Sequence, residues 1–150
     1  MEEARESEEL WHCGAGLCVY YGPPMKIVSL IVQIFIALGL LNVWLLRFHK
    51  PTRYRGGDAR SMSEEFAVYG LPRWILWVVG AVKVSCAICL LVGIWVPVLI
   101  APAATMLLVL MMGAIAMHVK VHDPLIKSVP ASAVLALSAV LLISTLQAVK

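Results

Sequence analysis

This chain is short of charge. Asp, Glu, Lys and Arg make up 14% of its 150 residues against 61% hydrophobic residues, and the mean hydropathy is +0.89. Four apolar runs, residues 27–46, 74–96, 98–119 and 129–149, contain no carboxylate at all and a single cation, Lys83. Such scarcity excludes an ordinary soluble globular domain. Also missing are a Gly-rich phosphate loop after a strand, a serine–histidine–acid set near a nucleophile, and any haem or iron–sulfur ligand pattern. The isolated polypeptide is therefore not expected to catalyse a reaction. Nucleic acid is not expected as a partner either, because the basic residues suit the negative inner leaflet of a membrane equally well.

What is present is length. The runs hold 20 to 23 residues each, and a helix rising about 1.5 Å per residue needs about 20 to cross a hydrocarbon core about 30 Å thick. In lipid the backbone must satisfy its own hydrogen bonds, and the runs lack the alternation of barrel strands, so helices are expected. The fold class is all-α, a transmembrane four-helix bundle forming one domain over residues 25–150.

The formal net charge of +3 hides an asymmetry. Five of nine acids fall in the first nine residues, leaving residues 25–150 with 11 Lys/Arg against 4 Asp/Glu. The loop between runs 1 and 2 carries Arg47, Lys50, Arg53, Arg55, Arg60 and Arg73, and the loop between runs 3 and 4 adds Lys120 and Lys127. Only Arg5, Lys26 and Lys150 lie at the other ends. The positive-inside rule puts both polar loops in the cytoplasm and both termini outside; a plasma membrane of bacterial type is the expected location. Residues 1–24 show no helical periodicity and do not read as a signal peptide, since the leading region is acidic. They are expected to be a disordered or spurious tail, with Met25 as the true start.

Between runs 1 and 2, Ser61 and Glu64 have the spacing of a capping box, Met62, Phe66 and Tyr69 share one helical face, and Gly70 can end the helix. A short amphipathic helix at the membrane interface is expected. This segment also carries a likeness. Tyr54-Arg55-Gly56-Gly57, Glu65-Phe66, Tyr69-Gly70-Leu71-Pro72, Gly80, Lys83, Gly93-Ile94-Trp95-Val96-Pro97, Gly113-Ala114, His118 and Asp123-Pro124, in that order and spacing, resemble the DoxX-like family of small four-helix membrane proteins. The resemblance runs from about Met25 to the C-terminus. It implies a membrane subunit of a redox complex, such as a thiosulfate:quinone oxidoreductase, or an assembly chaperone, and a fold shared by such different roles does not select one.

Lys83 lies about three ångströms from the midpoint of its run, too deep to snorkel to water. A lysine there costs roughly 2.5–3.5 kcal/mol on insertion scales. Its expected neighbours are Gln33 and Asn42, and Asp58, Glu64 or Glu65 if the first loop folds back into the bundle. Two readings stay open: a site whose amine donates to a quinone carbonyl or an oxyanion, and a structural cation bonded to Gln33 and helix carbonyls. Cys86 and Cys89, one turn away, form a C-x-x-C better read as packing than as redox chemistry, because a continuous helix seldom allows disulfide geometry. Cys13 and Cys18 are free to pair if exported. His118 and His122 at i, i+4, with His49 from the other loop, are lesser metal candidates, since Lys120 between them opposes a cation. No metal is therefore expected. Small residues including Gly80 mark faces for close helix approach.

These observations together point to an accessory or assembly subunit. Its first loop, through Arg55, Asp58, Glu65 and Tyr69, is expected to contact a membrane or cytoplasmic protein partner. The alternatives are a quinone-binding oxidoreductase subunit and, with less polar lining to support it, a small transporter acting as a homo-oligomer.

Overall fold

The computed structural model describes residues 11–14, 17–20 and 23–148, with side chains for residues 27–147. Two short strands, β1 (Trp11–Gly14) and β2 (Leu17–Tyr20), pair antiparallel with Cys13 opposite Cys18. The side chains of these cysteines, and residues 1–10 of the expected tail, lie outside the described residues. The helices follow: α1 (Pro23–Leu41), continued by a π-helical turn at Asn42–Leu46, then α2 (Met62–Val68), α3 (Arg73–Val92), α4 (Ile100–Lys120) and α5 (Leu125–Ala148).

Four stretches, Ile27–Leu46, Arg73–Val92, Pro97–Lys120 and Leu125–Gln147, are long and apolar enough to cross a membrane. The fold is the expected all-α four-helix membrane bundle. In packing, α1 meets α3 and α5, α3 meets α4, and α4 meets α5, which closes a ring of four. The bundle's flanks are apolar and exposed, as at Phe35 (67%) and Leu125 (84%), which is what helices solvated by lipid require.

Two span boundaries differ from the sequence expectation. The second span ends at Val92, because Gly93–Val96 form the turn that leads into a 3₁₀ turn at Pro97–Leu99. The fourth begins at Leu125, four residues earlier than its apolar run, and takes Pro130 inside the helix. Lys127 does not hold that segment out of the helix, because its ammonium is bonded to Asp123 and to the Gly57 carbonyl.

The core has two compartments. Ile36, Ala37, Leu40, Ala87, Leu90, Ala103, Ala104, Leu107 and Leu141 bury a small-residue and aliphatic centre. Nearer the first loop, Trp44, Met62 and Leu76 form a second cluster, with Phe48 and Phe66 packed against it. Gly80 allows the closest approach there: a Cβ at this position would sit 2.6 Å from Trp44 Cζ3.

Helix α2 is short and is defined by its ends. Ser61 adopts an extended conformation and its hydroxyl accepts the Glu64 N–H at 3.3 Å. The return arm of the box reaches one residue further than expected, with the Glu64 carboxylate accepting the Arg60 N–H at 2.7 Å. At the other end Gly70 takes a left-handed conformation (φ +74°), and Leu71 N–H donates to the Phe66 carbonyl, a Schellman cap. The expected apolar face of Met62, Phe66 and Tyr69 is real. It turns into the end of the bundle, where Met62 and Tyr69 are buried and the Phe66 ring meets Trp44.

The end of α4 repeats the same cap with a costlier residue. Asp123 N–H donates to the His118 carbonyl at 3.0 Å, while His122 occupies the left-handed position at φ +55°. A non-glycine residue there is strained by about 1 kcal/mol or more. His122→Gly should raise stability by up to about 1 kcal/mol in reversible micellar unfolding; a destabilised variant would show that the imidazole makes contacts of its own.

Candidate functional site

The loop between α1 and α3 folds back across the end of the bundle. Its closure starts with Met62 N–H donating to the Phe48 carbonyl at 3.0 Å. Where the chain leaves the first span, a buried donor can gather the carbonyls of Arg47, Phe48 and Lys50, which lie past its last helical residue. Arg55, 4% exposed, does so. Its Nη2 donates to the carbonyls of Arg47 (2.6 Å), Phe48 (3.2 Å) and Lys50 (3.0 Å), and its Nε to Lys50 as well (3.1 Å). Its Nη1 pairs with Glu65 at 3.1 Å.

Glu65 passes the network on. Its second oxygen accepts the Gly56 N–H at 2.9 Å and the Tyr69 hydroxyl at 3.0 Å. That hydroxyl faces the His118 ring 3.3 Å from Nδ1, and the two rings meet edge to face. His118 Nδ1 lies 2.9 Å from Asp123, and because an ionised carboxylate only accepts, the ring proton belongs on Nδ1. Asp123 accepts the Gly57 N–H at 3.0 Å and Lys127 at 3.0 Å, while Lys127 also donates to the Gly57 carbonyl at 2.6 Å. Lys120 donates to the Tyr69 carbonyl. Both polar loops are thus tied together at one end of the bundle.

Two glycines make the junction fit. A Cβ on Gly56 would fall 2.6 Å from carbons of the Tyr69 ring, and Gly57 is left-handed at φ +55°. Burial shifts the ionisable groups in the expected senses. Burial and the neighbouring Glu65 carboxylate push the Tyr69 phenol far above its ordinary range, so it remains a donor at every physiological pH. Burial also pushes Asp123 upward, but hydrogen bonds from His118, Lys127 and Gly57 outweigh it and hold the carboxyl below its usual value. A carboxyl depressed on folding contributes stability that is complete above its unfolded pKa, about 3.9, and is lost as pH falls through the lower folded value. Wild type should therefore lose stability on acidification below about pH 4. Asp123→Asn should flatten that limb in unfolding curves against pH, and an unchanged acid limb would assign it to other groups.

Of the residues singled out from the sequence, Arg55, Glu65 and Tyr69 come together here, buried and bonded within the chain. Asp58 is exposed. His118 belongs to the network, but His122 lies beyond the end of α4, exposed, and so does not share a helical face with it. His49 is exposed against the Phe48 ring. Among the described residues no group of three metal-ligating side chains occurs.

Lys83 stands apart from the network. Its Nζ lies 5.4 Å from the centre of the Trp44 ring, and among the described residues it makes no hydrogen bond. Gln33 instead donates to Ser29 at 2.9 Å, one turn before it on α1, and Asn42 is exposed. Cys86 and Cys89 are both free thiols. The sequence reading missed Trp44 as the neighbour of Lys83, and it missed the pairing of Asp123 with Lys127. The i, i+4 spacing of that acid and base was the available signal for the second.

Four spanning helices closed at one end by a buried polar cap define a small integral membrane protein. A family model described as the DoxX-like family matches residues 54–142, more than half of the chain. The protein belongs to the DoxX-like family. Every side chain of the cap network from Arg55 to Lys127 falls inside the matched stretch, whereas Trp44, Gln33 and Asn42 lie before it. Searches of curated proteins and of solved structures find no match.

Proposed function

We propose that this protein is a non-catalytic accessory or assembly subunit for a membrane or cytoplasmic protein partner, with its polar loops in the cytoplasm and both chain ends outside. The supporting observation is how the network uses its charges. Arg55, Glu65, Tyr69, His118, Asp123 and Lys127 are engaged with one another and with backbone groups, which suits a rigid cap better than a site poised for chemistry. What such a cap presents outward is a fixed surface: Asp58, Arg60, Glu64 and Val68 are exposed around α2. The eight basic residues of the two joined loops favour the cytoplasmic side for that surface.

The test is purification at native expression level into nanodiscs, followed by mass spectrometry of everything that co-purifies. A protein at fixed ratio, lost in the Asp58→Arg/Glu64→Arg double variant while the fold is kept, is the expected result. A chain that travels alone would overturn it.

One observation favours a second reading, a quinone-binding subunit of an oxidoreductase. The Lys83 amine, over the Trp44 ring and without a hydrogen bond among the described residues, has donors left for a carbonyl oxygen. In that case one quinone per chain co-purifies with wild type and is lost from Lys83→Met.

A further inference from the structure

The end of the first span carries a feature that neither reading uses. A shallow groove of about 320 Å³ is lined by Arg47, Lys50, Pro51, Thr52, Arg53 and Tyr54. Three of these six are cations, all with exposed side chains, two carry hydroxyls and none is acidic. A helix C-terminus ordinarily repels anions, because its free carbonyls carry partial negative charge. Here the chain just past the helix end meets a buried cation. The Arg47, Phe48 and Lys50 oxygens accept from the buried Arg55 guanidinium, so a fourth cation is bonded to the backbone of two groove residues, Arg47 and Lys50, and offsets the negative dipole end beside them. Glu65 engages Arg55 through Nη1, the nitrogen that does not contact those carbonyls.

We propose that this groove binds the phosphate of an anionic phospholipid headgroup. Phosphate is the chemistry that three convergent cations and two hydroxyls recognise, the arginines through paired N–H donors. Lipid is the source because the groove begins one residue after Leu46, where the first span ends and headgroups lie. The aromatic residues Trp44, Phe48 and Trp77, grouped at the same end, place the interface at this level. The proposal does not depend on what the protein assembles with.

The experiment is native mass spectrometry of the full chain released from nanodiscs of phosphatidylcholine containing one-fifth phosphatidylglycerol. Wild type retains one phosphatidylglycerol per chain in preference to phosphatidylcholine, and millimolar inorganic phosphate does not displace it. Arg47→Gln/Arg53→Gln binds it about thirtyfold more weakly, taking roughly 1 kcal/mol per cation at a membrane surface. The matched control Arg60→Gln/Arg73→Gln removes the same charge from residues that do not line the groove, and retains the lipid. Lys50→Gln, a milder change, gives an intermediate loss and guards against misfolding of the double variant. Equal retention of both lipids by wild type, or equal loss in the control, would overturn the site in favour of diffuse surface charge. Displacement by inorganic phosphate would overturn lipid as the source.

Discussion

Arg55→Ala loses about 3–5 kcal/mol of folding stability, the cost of stranding one partner of a buried ion pair. The guanidinium is 4% exposed, and its removal leaves the Glu65 carboxylate, at 12% side-chain exposure, without its cation. It also removes the guanidinium bonds to the Arg47, Phe48 and Lys50 carbonyls, of which the first two keep a backbone donor, from Lys50 and Met62. Arg55→Lys recovers little, since one ammonium cannot span a carboxylate and three carbonyls as a planar fork does. Reversible unfolding in mixed micelles reads the effect, with exposed Arg53→Ala as the reference at about 0.5 kcal/mol or less. Equal behaviour of the two alanine variants would mean that Arg55 does not bridge the loop to the bundle.

Gly80→Leu is the second large effect, and it acts inside the membrane. Even a Cβ at this position would lie 2.6 Å from Trp44 Cζ3 and 2.9 Å from Cε3, so a leucine must displace the indole or separate α1 from α3. Overpacking of this kind costs about 1–3 kcal/mol, and more where a rigid ring cannot yield. Because the Lys83 ammonium lies over the same ring, displacement also removes its aromatic partner. The expected readout is lower thermal stability together with a shift in tryptophan emission. Gly113→Leu is the control, for a Cβ at Gly113 meets nothing within 4 Å. Equal damage at both positions would point to helix insertion and not to the Trp44 contact.

Much of the fold was legible because lipid leaves the backbone few options. Four runs of sufficient length with one interior charge define four helices, and the Ser61, Glu64 and Gly70 signals locate α2 between them. Of the two boundaries that moved, one lies at the Gly93–Val96 turn and the other where a polar residue finds a partner far along the chain. Lys127 looks like a loop residue until Asp123 and the Gly57 carbonyl, 70 positions earlier, take up its charge. The cap itself was only half visible. Arg55, Glu65 and Tyr69 stood out as a structured segment, but a loop rich in cations reads as a surface, and nothing local says that Arg55 turns inward. That outcome is decided by the carbonyls and the Glu65 carboxylate it meets, which tertiary structure brings together. The neighbours of Lys83 were hidden for a related reason. Gln33 finds its partner one turn away at Ser29, and the π-helical turn at Asn42–Leu46 leaves Asn42 exposed and Trp44 buried, so regular helical spacing gives the wrong neighbour.

The account rests on the two polar loops forming one buried cap, and amide hydrogen exchange of the nanodisc-embedded protein tests that most directly. The Gly56 and Gly57 amides donate to Glu65 and Asp123, so both should exchange slowly, like the ends of the spanning helices. Asp123→Ala should release the Gly57 amide across 66 positions of sequence while Gly80 and Leu90, within α3, remain protected. Rapid exchange throughout residues 54–60 in the wild type, unaltered by Asp123→Ala, would contradict the cap.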